Sequence, residues 1–248
     1  VLLAGPTGCG KSTLLKCLNG IIPHESSGQL RGKVTVCGVD TAQSSISQMC
    51  QRVGLVFQNP DDQLFSPTVF EDVAFGPLHM GLPEAEVRAR VAVALQRVRM
   101  DDYADRLSHH LSMGEKKRIA IATVLSMDPQ ILILDEPSAG LDPRARRGLI
   151  RLLAEMPITM LVSTHDLAMV GELFPRMVVM DEGRIVADCP TAELLAERGE
   201  FYVHTARLDE ARAALEEALR IDPQNPAANR TMGLLCMRLN DSGRAEKY

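Results

Sequence analysis

The sequence predicts an α/β fold built on a parallel core sheet, and three stretches of the chain indicate it. The first is an apolar run, Val1–Leu3, that leads through a glycine-rich loop into a helical pattern. The other two are apolar runs of strand length, Ile131–Leu134 and Ile158–Val162. A short continuous apolar run is typical of a strand covered on both faces, as strands are in parallel sheets. Polar residues follow each run, and ligands of open α/β sheets bind at the carboxyl ends of the strands.

The composition limits the class of protein. Of the 248 residues, 46% are hydrophobic and 24% are charged, which is typical of a globular protein. The net charge of −5 argues against nucleic acid as a partner, because neutralising phosphates requires a basic face. No apolar run approaches the roughly 20 residues of a membrane-spanning helix. The six cysteines lack metal-ligand spacing and are interpreted as reduced thiols.

The loop after the first apolar run has the phosphate-binding spacing GxxxxGK[ST]. Glycines let backbone N–H groups turn towards the phosphates, and the start of the next helix adds partial positive charge. Lys11 is expected to reach the β- and γ-phosphates, and the Ser12 hydroxyl is expected to bind Mg²⁺. The predicted ATP-binding residues of the loop are Gly5, Pro6, Thr7, Gly8, Cys9, Gly10, Lys11, Ser12 and Thr13.

Catalytic groups are predicted after the other two apolar runs. Asp135 and Glu136 follow the second run, where Asp135 would hold Mg²⁺ and Glu136 would polarise the attacking water. An acidic pair alone is equally typical of a helix start, but after a phosphate loop the catalytic interpretation is favoured. His165 follows the third run and is expected near the γ-phosphate, although a single histidine is more often structural. The predicted catalytic residues are Lys11, Glu136 and His165.

Six motifs in fixed order resemble those of ABC-transporter ATP-binding subunits over roughly residues 1–200. Besides the phosphate loop (Walker A) and Asp135-Glu136 (Walker B), they are the Q-loop Gln58, the signature Leu111-Ser112-Met113-Gly114-Glu115, the D-loop Ser138-Ala139-Gly140-Leu141-Asp142 and the switch residue His165. The resemblance implies a P-loop ATPase fold with a parallel core sheet, a small β-subdomain and a helical subdomain at about 61–115.

The resemblance also implies how the site works. Ser112 and Gly114 would open a helix, Glu115–Met127, whose N-terminus faces the γ-phosphate bound by a second ATPase subunit, like or unlike. Two ATP molecules are then sandwiched between two subunits, and closure drives an integral membrane component. Gln58 would contact Mg²⁺ and the γ-phosphate while its loop contacts that component. The chain is accordingly expected at the cytoplasmic face of the membrane, as a peripheral protein.

The sequence departs from the family at two places. Met113 and Glu115 stand where the signature has glycine and glutamine. Family members also carry two strands and an adenine-stacking aromatic residue before the phosphate loop. The sequence starts at Val1, so these amino-terminal strands are expected to be missing.

The segment after Gln58 resembles one branch of the family. The runs Gln58–Phe65 and Thr68–Pro77 are similar to energy-coupling factor ATPases, which serve cobalt, nickel and vitamin uptake. Cobalt is the solute we favour. The resemblance carries this choice, since Asp61-Asp62 by itself indicates only a solvated loop cap. The following segment, Glu84–Met100, is predicted to be an amphipathic helix.

The carboxyl-terminal part resembles a different family. A hairpin with its turn at Glu182-Gly183 is predicted first. Leu208–Arg220, closed by Pro223, then resembles the second helix of a tetratricopeptide repeat, and Gly199 and Gly233 stand one 34-residue period apart. The predicted domains are residues 1–200, the ATP-binding domain, and residues 201–248, an all-α appendage for a protein partner. The alternative is that these are the subunit's own terminal helices.

Three functional hypotheses follow from these patterns. The leading one is the ATPase of an importer. A second is an ABC protein of translation or DNA repair, but the 248 residues show neither the tandem ATPase domains nor the long coiled-coil insertion of that class. A third is a truncated or inactive ATPase that acts as a scaffold through its repeat-like tail. The intact Lys11, Asp135, Glu136 and His165 argue against such decay, whereas the expected lack of the amino-terminal strands keeps this alternative open.

Overall fold

The structure, a computed structural model, describes residues 1–25, 28–164 and 173–239. Within these ranges the chain forms two compact units. One comprises residues 5–164, and the other joins residues 1–4 to residues 173–239.

Strands and helices alternate along most of the chain, as the α/β prediction requires. The strands are β1 (Leu2–Ala4), β2 (Thr35–Val36), β3 (Val39–Asp40), β4 (Val53–Val56), β5 (Ile131–Asp135), β6 (Thr159–Ser163), β7 (Arg176–Asp181) and β8 (Arg184–Pro190). The helices are α1 (Lys11–Leu18), α2 (Ile21–His24), α3 (Ile46–Cys50), α4 (Val69–His79), α5 (Glu84–Arg97), α6 (Met113–Leu125), α7 (Pro143–Ala154), α8 (Thr191–His204), α9 (Leu208–Ile221) and α10 (Pro226–Arg238).

The sheet of the larger unit is parallel, as predicted. Strand β5 lies between β4 and β6, with Val56 opposite Leu134 and Asp135 opposite Ser163. The middle residues of β5 are fully buried, which explains the uninterrupted apolar run in the sequence. The parallel arrangement brings the carboxyl ends of β5 and β6 to one edge, where the polar residues begin.

Helix α6 is the central helix of the larger unit. It contacts α4, α5 and β4, and residues 119–122 are all buried. Gly54 of β4 permits the close approach, because a Cβ at this position would collide with Val124 of α6. The predicted amphipathic helix is α5, and its apolar face (Val87, Val91, Leu95) is buried as expected.

The small β-subdomain is represented by one short hairpin in the larger unit. Strands β2 and β3 pair in antiparallel fashion through Cys37 and Gly38, whose φ angles of 50° and 76° fit a two-residue turn.

The second unit combines three strands with three helices. Strand β1 is parallel to β7, and β7 is antiparallel to β8. Glu182 and Gly183 form the predicted turn, both with positive φ. Helices α8, α9 and α10 pack on one another, and Gly199 of α8 faces Leu215 of α9. The boundary predicted at residue 200 falls inside α8.

None of the described helices combines the length and the apolar character that a membrane crossing demands.

Candidate nucleotide-binding and catalytic site

The phosphate loop leads into a helix start that has no side-chain cap. Gly10 precedes α1 with a φ of 100°, makes no side-chain capping hydrogen bond, and no acidic residue occupies the first turn. The Leu14 N–H donates to the Gly10 carbonyl at 2.9 Å, so the N–H groups before it have no partner within the helix. Such a helix start attracts an anion through its free N–H groups and its dipole.

Lys11 places its ammonium group on the loop. Its Nζ donates to the carbonyl oxygens of Gly5 at 2.8 Å and Pro6 at 3.1 Å. Cys9 is buried, with 4% of the residue exposed, and its N–H donates to the Pro6 carbonyl at 3.3 Å, so its thiol is turned away from solvent. At Gly8 a Cβ would meet no atom within 4 Å, which leaves open space over the loop.

The carboxylate pair stands at the carboxyl end of β5, and α1 contacts this strand. The Asp135 carboxylate accepts a hydrogen bond from the Ser163 hydroxyl on β6. The Glu136 N–H donates to the Ser163 carbonyl at 2.9 Å and to the Ser163 hydroxyl at 3.2 Å. Glu136 is 8% exposed and has a φ of 45°, an unfavourable conformation for a residue with a side chain. Ser163 therefore orients both members of the pair.

Lys117 of α6 joins this edge to the loop that carries Gln58. Its Nζ donates to the Gln58 carbonyl at 2.6 Å and to the Glu136 carbonyl at 3.3 Å. Burial lowers the pKa of Lys117, and the nearby charges of Glu136 and Asp135 partly restore it. Sequence reasoning missed this residue. The signal that could have identified it is its spacing from the apolar Ile121 and Val124, which places Lys117 on the buried face of the helix.

The loop of Gln58 is tied to α6 a second time. The Gln63 side chain accepts from the Phe57 N–H at 3.0 Å, and its amide nitrogen donates to the Ala120 carbonyl at 2.8 Å. The Gln58 side chain itself is exposed. The loop is therefore fixed through its backbone while the predicted ligand-binding amide remains accessible.

The signature motif forms the start of α6, two residues earlier than predicted. Ser112 caps the helix, and the Glu115 carboxylate accepts from the Ser112 N–H at 2.8 Å in a reciprocal capping box. Tyr103 donates its hydroxyl to the same carboxylate at 2.7 Å. Hydrogen bonds from the Ser112 side chain and from Tyr103 lower the pKa of Glu115. Glu115, which stands where the family's signature has glutamine, therefore caps α6.

The D-loop leads into α7, which lies against the signature. Asp142 caps α7 by accepting from the N–H groups of Arg144 at 2.8 Å and Ala145 at 3.0 Å. A Cβ added to Gly114 would lie 3.2 Å from the Ala145 Cβ. A larger residue in place of Gly114 would therefore require a small shift of α7.

The structure thus brings the phosphate loop, Gln58, Asp135 and Glu136 into one compact unit. Ser112 and Gly114 lie at the start of α6 in the same unit, and their contact with a second subunit's nucleotide stays a prediction. His165 lies outside the described residues, so its role also stays a prediction.

Two protein families match the chain. The ABC transporter family matches residues 1–139, and a tetratricopeptide repeat family matches residues 192–225. The second match takes in α8 and α9, and it confirms the predicted resemblance of the carboxyl-terminal segment.

Relatives of known sequence resemble the chain over most of its length. A putative ABC transporter ATP-binding protein of Gloeobacter violaceus is 50% identical over 210 residues, which cover 84% of each chain. The energy-coupling factor transporter ATP-binding protein EcfA of Methanothermobacter thermautotrophicus is 47% identical over 202 residues, covering 79% of this chain and 63% of EcfA.

Solved structures agree with these relatives. The protein cbiO1 from Clostridium perfringens, described as part of the ABC transporter complex cbiONQ, matches with a TM-score of 0.69 and 40% identity, covering 79% of this chain and 80% of cbiO1. A second ATP-binding cassette, at 23% identity and a TM-score of 0.65, shares the fold over 77% of this chain and 84% of its own. The phosphate loop, the carboxylate pair and these matches together show that the chain belongs to the ABC transporter ATP-binding proteins and is an ATPase.

Proposed function

We propose that the chain powers an importer of the energy-coupling factor kind, with cobalt as the favoured solute and a membrane component as its partner. The observation that carries the proposal is the site itself: the phosphate loop and the Asp135-Glu136 pair lie in one unit, where α1 contacts β5. The likeness to EcfA and to cbiO1 supports the transporter type.

ATP binding is assigned to the loop residues Gly5–Thr13. Their backbone N–H groups and the uncapped start of α1 suit the charged oxygens of a triphosphate. Lys11 would exchange the carbonyls of Gly5 and Pro6 for the β- and γ-phosphates, a stronger, charge-assisted contact.

Mg²⁺ would be held by Ser12, Gln58 and Asp135. These residues offer hydroxyl, amide and carboxylate oxygens, the ligand types that Mg²⁺ prefers. The Ser163 hydroxyl fixes one oxygen of Asp135, and the side chains of Ser12 and Gln58 are exposed, so the residues fit the ion. The ion would neutralise charge on the transferred phosphate.

Hydrolysis is assigned to Glu136 as the group that polarises the attacking water. Its backbone is fixed by Ser163, and its low exposure strengthens its electrostatic interactions. His165 is assigned to the γ-phosphate by the family resemblance alone.

A second ATPase subunit would complete the site. Ser112 and Gly114 open α6, whose N-terminus would face the partner's γ-phosphate. A like or an unlike chain would serve equally as the partner, because each subunit supplies one signature and one phosphate loop.

The helical subdomain offers a surface that suits the membrane component. Three large apolar side chains are exposed on α4 and the loop before it: Phe65 (65%), Phe75 (42%) and Leu78 (54%). Phe65 and Phe75 line a cavity of about 640 Å³ that is also lined by Phe57, the residue next to Gln58. Exposed apolar patches beside a groove mark protein docking sites. This would hold the chain at the cytoplasmic face of the membrane.

The test is to replace cbiO1 in a cbiONQ complex with this chain and to measure cobalt uptake by cells. Uptake well above that of the Glu136→Gln variant is expected. ATP hydrolysis by the purified chain without cobalt uptake would contradict cobalt as the transported solute. Nickel uptake would identify nickel as the solute instead. No hydrolysis by the purified chain would contradict the motor itself.

A scaffold is the second candidate, favoured by one observation. The tetratricopeptide match at residues 192–225 and the packed helices α8–α10 provide a peptide-binding architecture. Peptide binding without ATP turnover by the purified protein would favour the scaffold over the motor.

A further inference from the structure

Lys117 is a buried lysine for which the reaction described above has no use. Its side chain lies in the second turn of α6 and the residue is 2% exposed. Lysine is almost never fully buried unless its ammonium group is paired. Here the ammonium group donates to two backbone carbonyls, those of Gln58 at 2.6 Å and Glu136 at 3.3 Å. Both belong to residues assigned to the reaction.

The contact with Glu136 holds a conformation that the backbone disfavours. Glu136 has a φ of 45°, in the left-handed region that favours glycine. Such a conformation persists only where its surroundings over-determine it. Ser163 fixes the N–H of Glu136, and Lys117 fixes its carbonyl. The direction of the Glu136 side chain therefore depends on both Ser163, which holds the N–H of this residue, and Lys117, which holds its carbonyl.

The contact with Gln58 couples a second reacting residue to the same ammonium group. The Gln58 carbonyl is the nearer acceptor, and Gln63 ties the adjacent Phe57 N–H to α6 independently. Losing Lys117 would therefore leave the loop attached to α6 through Gln63 but would free the Gln58 carbonyl. The signature residue Ser112 caps the start of the same helix.

We propose that Lys117 is a positioning residue for ATP hydrolysis: its ammonium group holds the backbones of Gln58 and Glu136 in a fixed relation to the signature helix. The proposal rests on the roles proposed for Gln58 and Glu136. None of the phosphate-loop residues contacts Lys117 through a described hydrogen bond, so ATP affinity should depend on it little. A lysine that served only to fill the core would affect stability without separating binding from turnover.

The experiment compares Lys117→Met, Lys117→Gln and Lys116→Met with the wild-type protein. Met keeps the length without a donor, and Gln keeps donors at a shorter reach. Lys116 is the matched control on the same helix, because its ammonium group pairs with the Asp61 carboxylate at 2.6 Å. For each protein, kcat for ATP hydrolysis, Kd for ATP and the melting temperature are measured.

We expect kcat to fall at least tenfold in Lys117→Met and about three- to tenfold in Lys117→Gln, with Kd within threefold of wild type. Lys116→Met should keep both values. If Lys117→Met does not fold, the Lys117→Gln comparison decides alone. Wild-type kcat in a folded Lys117 variant, or equal losses in kcat and affinity, would overturn the proposal. Absence of hydrolysis by the wild-type protein would instead overturn the proposed function.

Discussion

Lys11 provides the positive charge of the phosphate loop, and replacing it tests the assignment of the loop. Lys11→Ala should weaken ATP binding at least about 100-fold, because phosphate charge is left unmatched and charge-assisted hydrogen bonds are lost. Lys16→Ala, at an exposed position of the same helix, should leave the Kd within twofold. The measurement is calorimetric titration with ATP. Undiminished affinity in Lys11→Ala would refute the loop assignment.

Replacing Glu136 is expected to separate the binding of ATP from its hydrolysis. Glu136→Gln keeps the size and the backbone contacts with Ser163 but removes the carboxylate that we propose to polarise water. We expect kcat to fall about 10²- to 10⁴-fold while ATP affinity stays within threefold. Steady-state phosphate release and calorimetry measure the two quantities. Wild-type turnover would mean that another group activates the water.

Some site residues are predictable from the sequence and others are not, for a physical reason. Lys11 and Asp135 follow from spacing, since local strand and loop geometry fixes where they stand. Ser163 donates a hydrogen bond to Asp135, 28 residues away along the chain, and Lys117 donates one to Glu136, 19 residues away. Only the packed structure identifies these pairs. The burial of Cys9 likewise depends on the packing around the loop, which the spacing of the motif does not indicate.

Carboxylates cap α6 and α7, and this makes the stability of these two elements depend on pH. Ser112 and Tyr103 lower the pKa of Glu115 below its ordinary value of 4.5, and N–H groups of α7 lower that of Asp142 below 3.8. A carboxyl group with a lowered folded-state pKa stabilises the fold above its ordinary pKa, and this contribution is lost as the pH falls through the folded-state value.

We therefore expect stability to fall as the pH drops below about 4.5, and Glu115→Gln to make that decline shallower. Urea unfolding at a series of pH values measures it, with the exposed Glu216→Gln as the control. An identical pH dependence for Glu115→Gln and wild type would contradict the role of this cap.

The packing of α8 on α9 depends on glycine at residue 199. A Cβ there would lie 2.5 Å from the Leu215 Cγ, and Leu215 is fully buried. Gly199→Ala should destabilise the repeat-like segment by about 1–3 kcal/mol through overpacking. Glu200→Ala, at the adjacent and more exposed position, should change stability by at most about 0.5 kcal/mol. Thermal unfolding followed by circular dichroism compares them, and equal melting temperatures would contradict the close packing.

Element types were predictable from the sequence, whereas several boundaries were not. The apolar run at 131–134 identified β5 because a strand buried on both faces needs no polar positions. Helix α6 begins at Met113 rather than Glu115 because Ser112 and Glu115 form a capping box. Both residues also belong to the signature motif, so the capping signal and the motif occupy the same positions in the sequence. Helix α8 continues past residue 200 because Tyr202 and Val203 are still buried.

At the scale of the molecule, the two parts of the chain should differ in local stability. The repeat-like segment contains one matched repeat, residues 192–225, and stacked repeats need roughly three to bury a continuous core. We expect amides in α9 and α10 to exchange faster than those of β5 and α6. Hydrogen exchange followed by mass spectrometry measures this. Uniformly slow exchange in all four elements would contradict it.

The central claim is that ATP assembles a composite site from two subunits, and light scattering of the Glu136→Gln protein tests it most directly. This variant should bind ATP without consuming it, so the closed state accumulates. With Mg-ATP we predict a doubling from the 27.1 kDa of one chain, and without nucleotide a single-chain mass. A single-chain mass in both conditions, with ATP bound, would contradict the assembly of two like subunits.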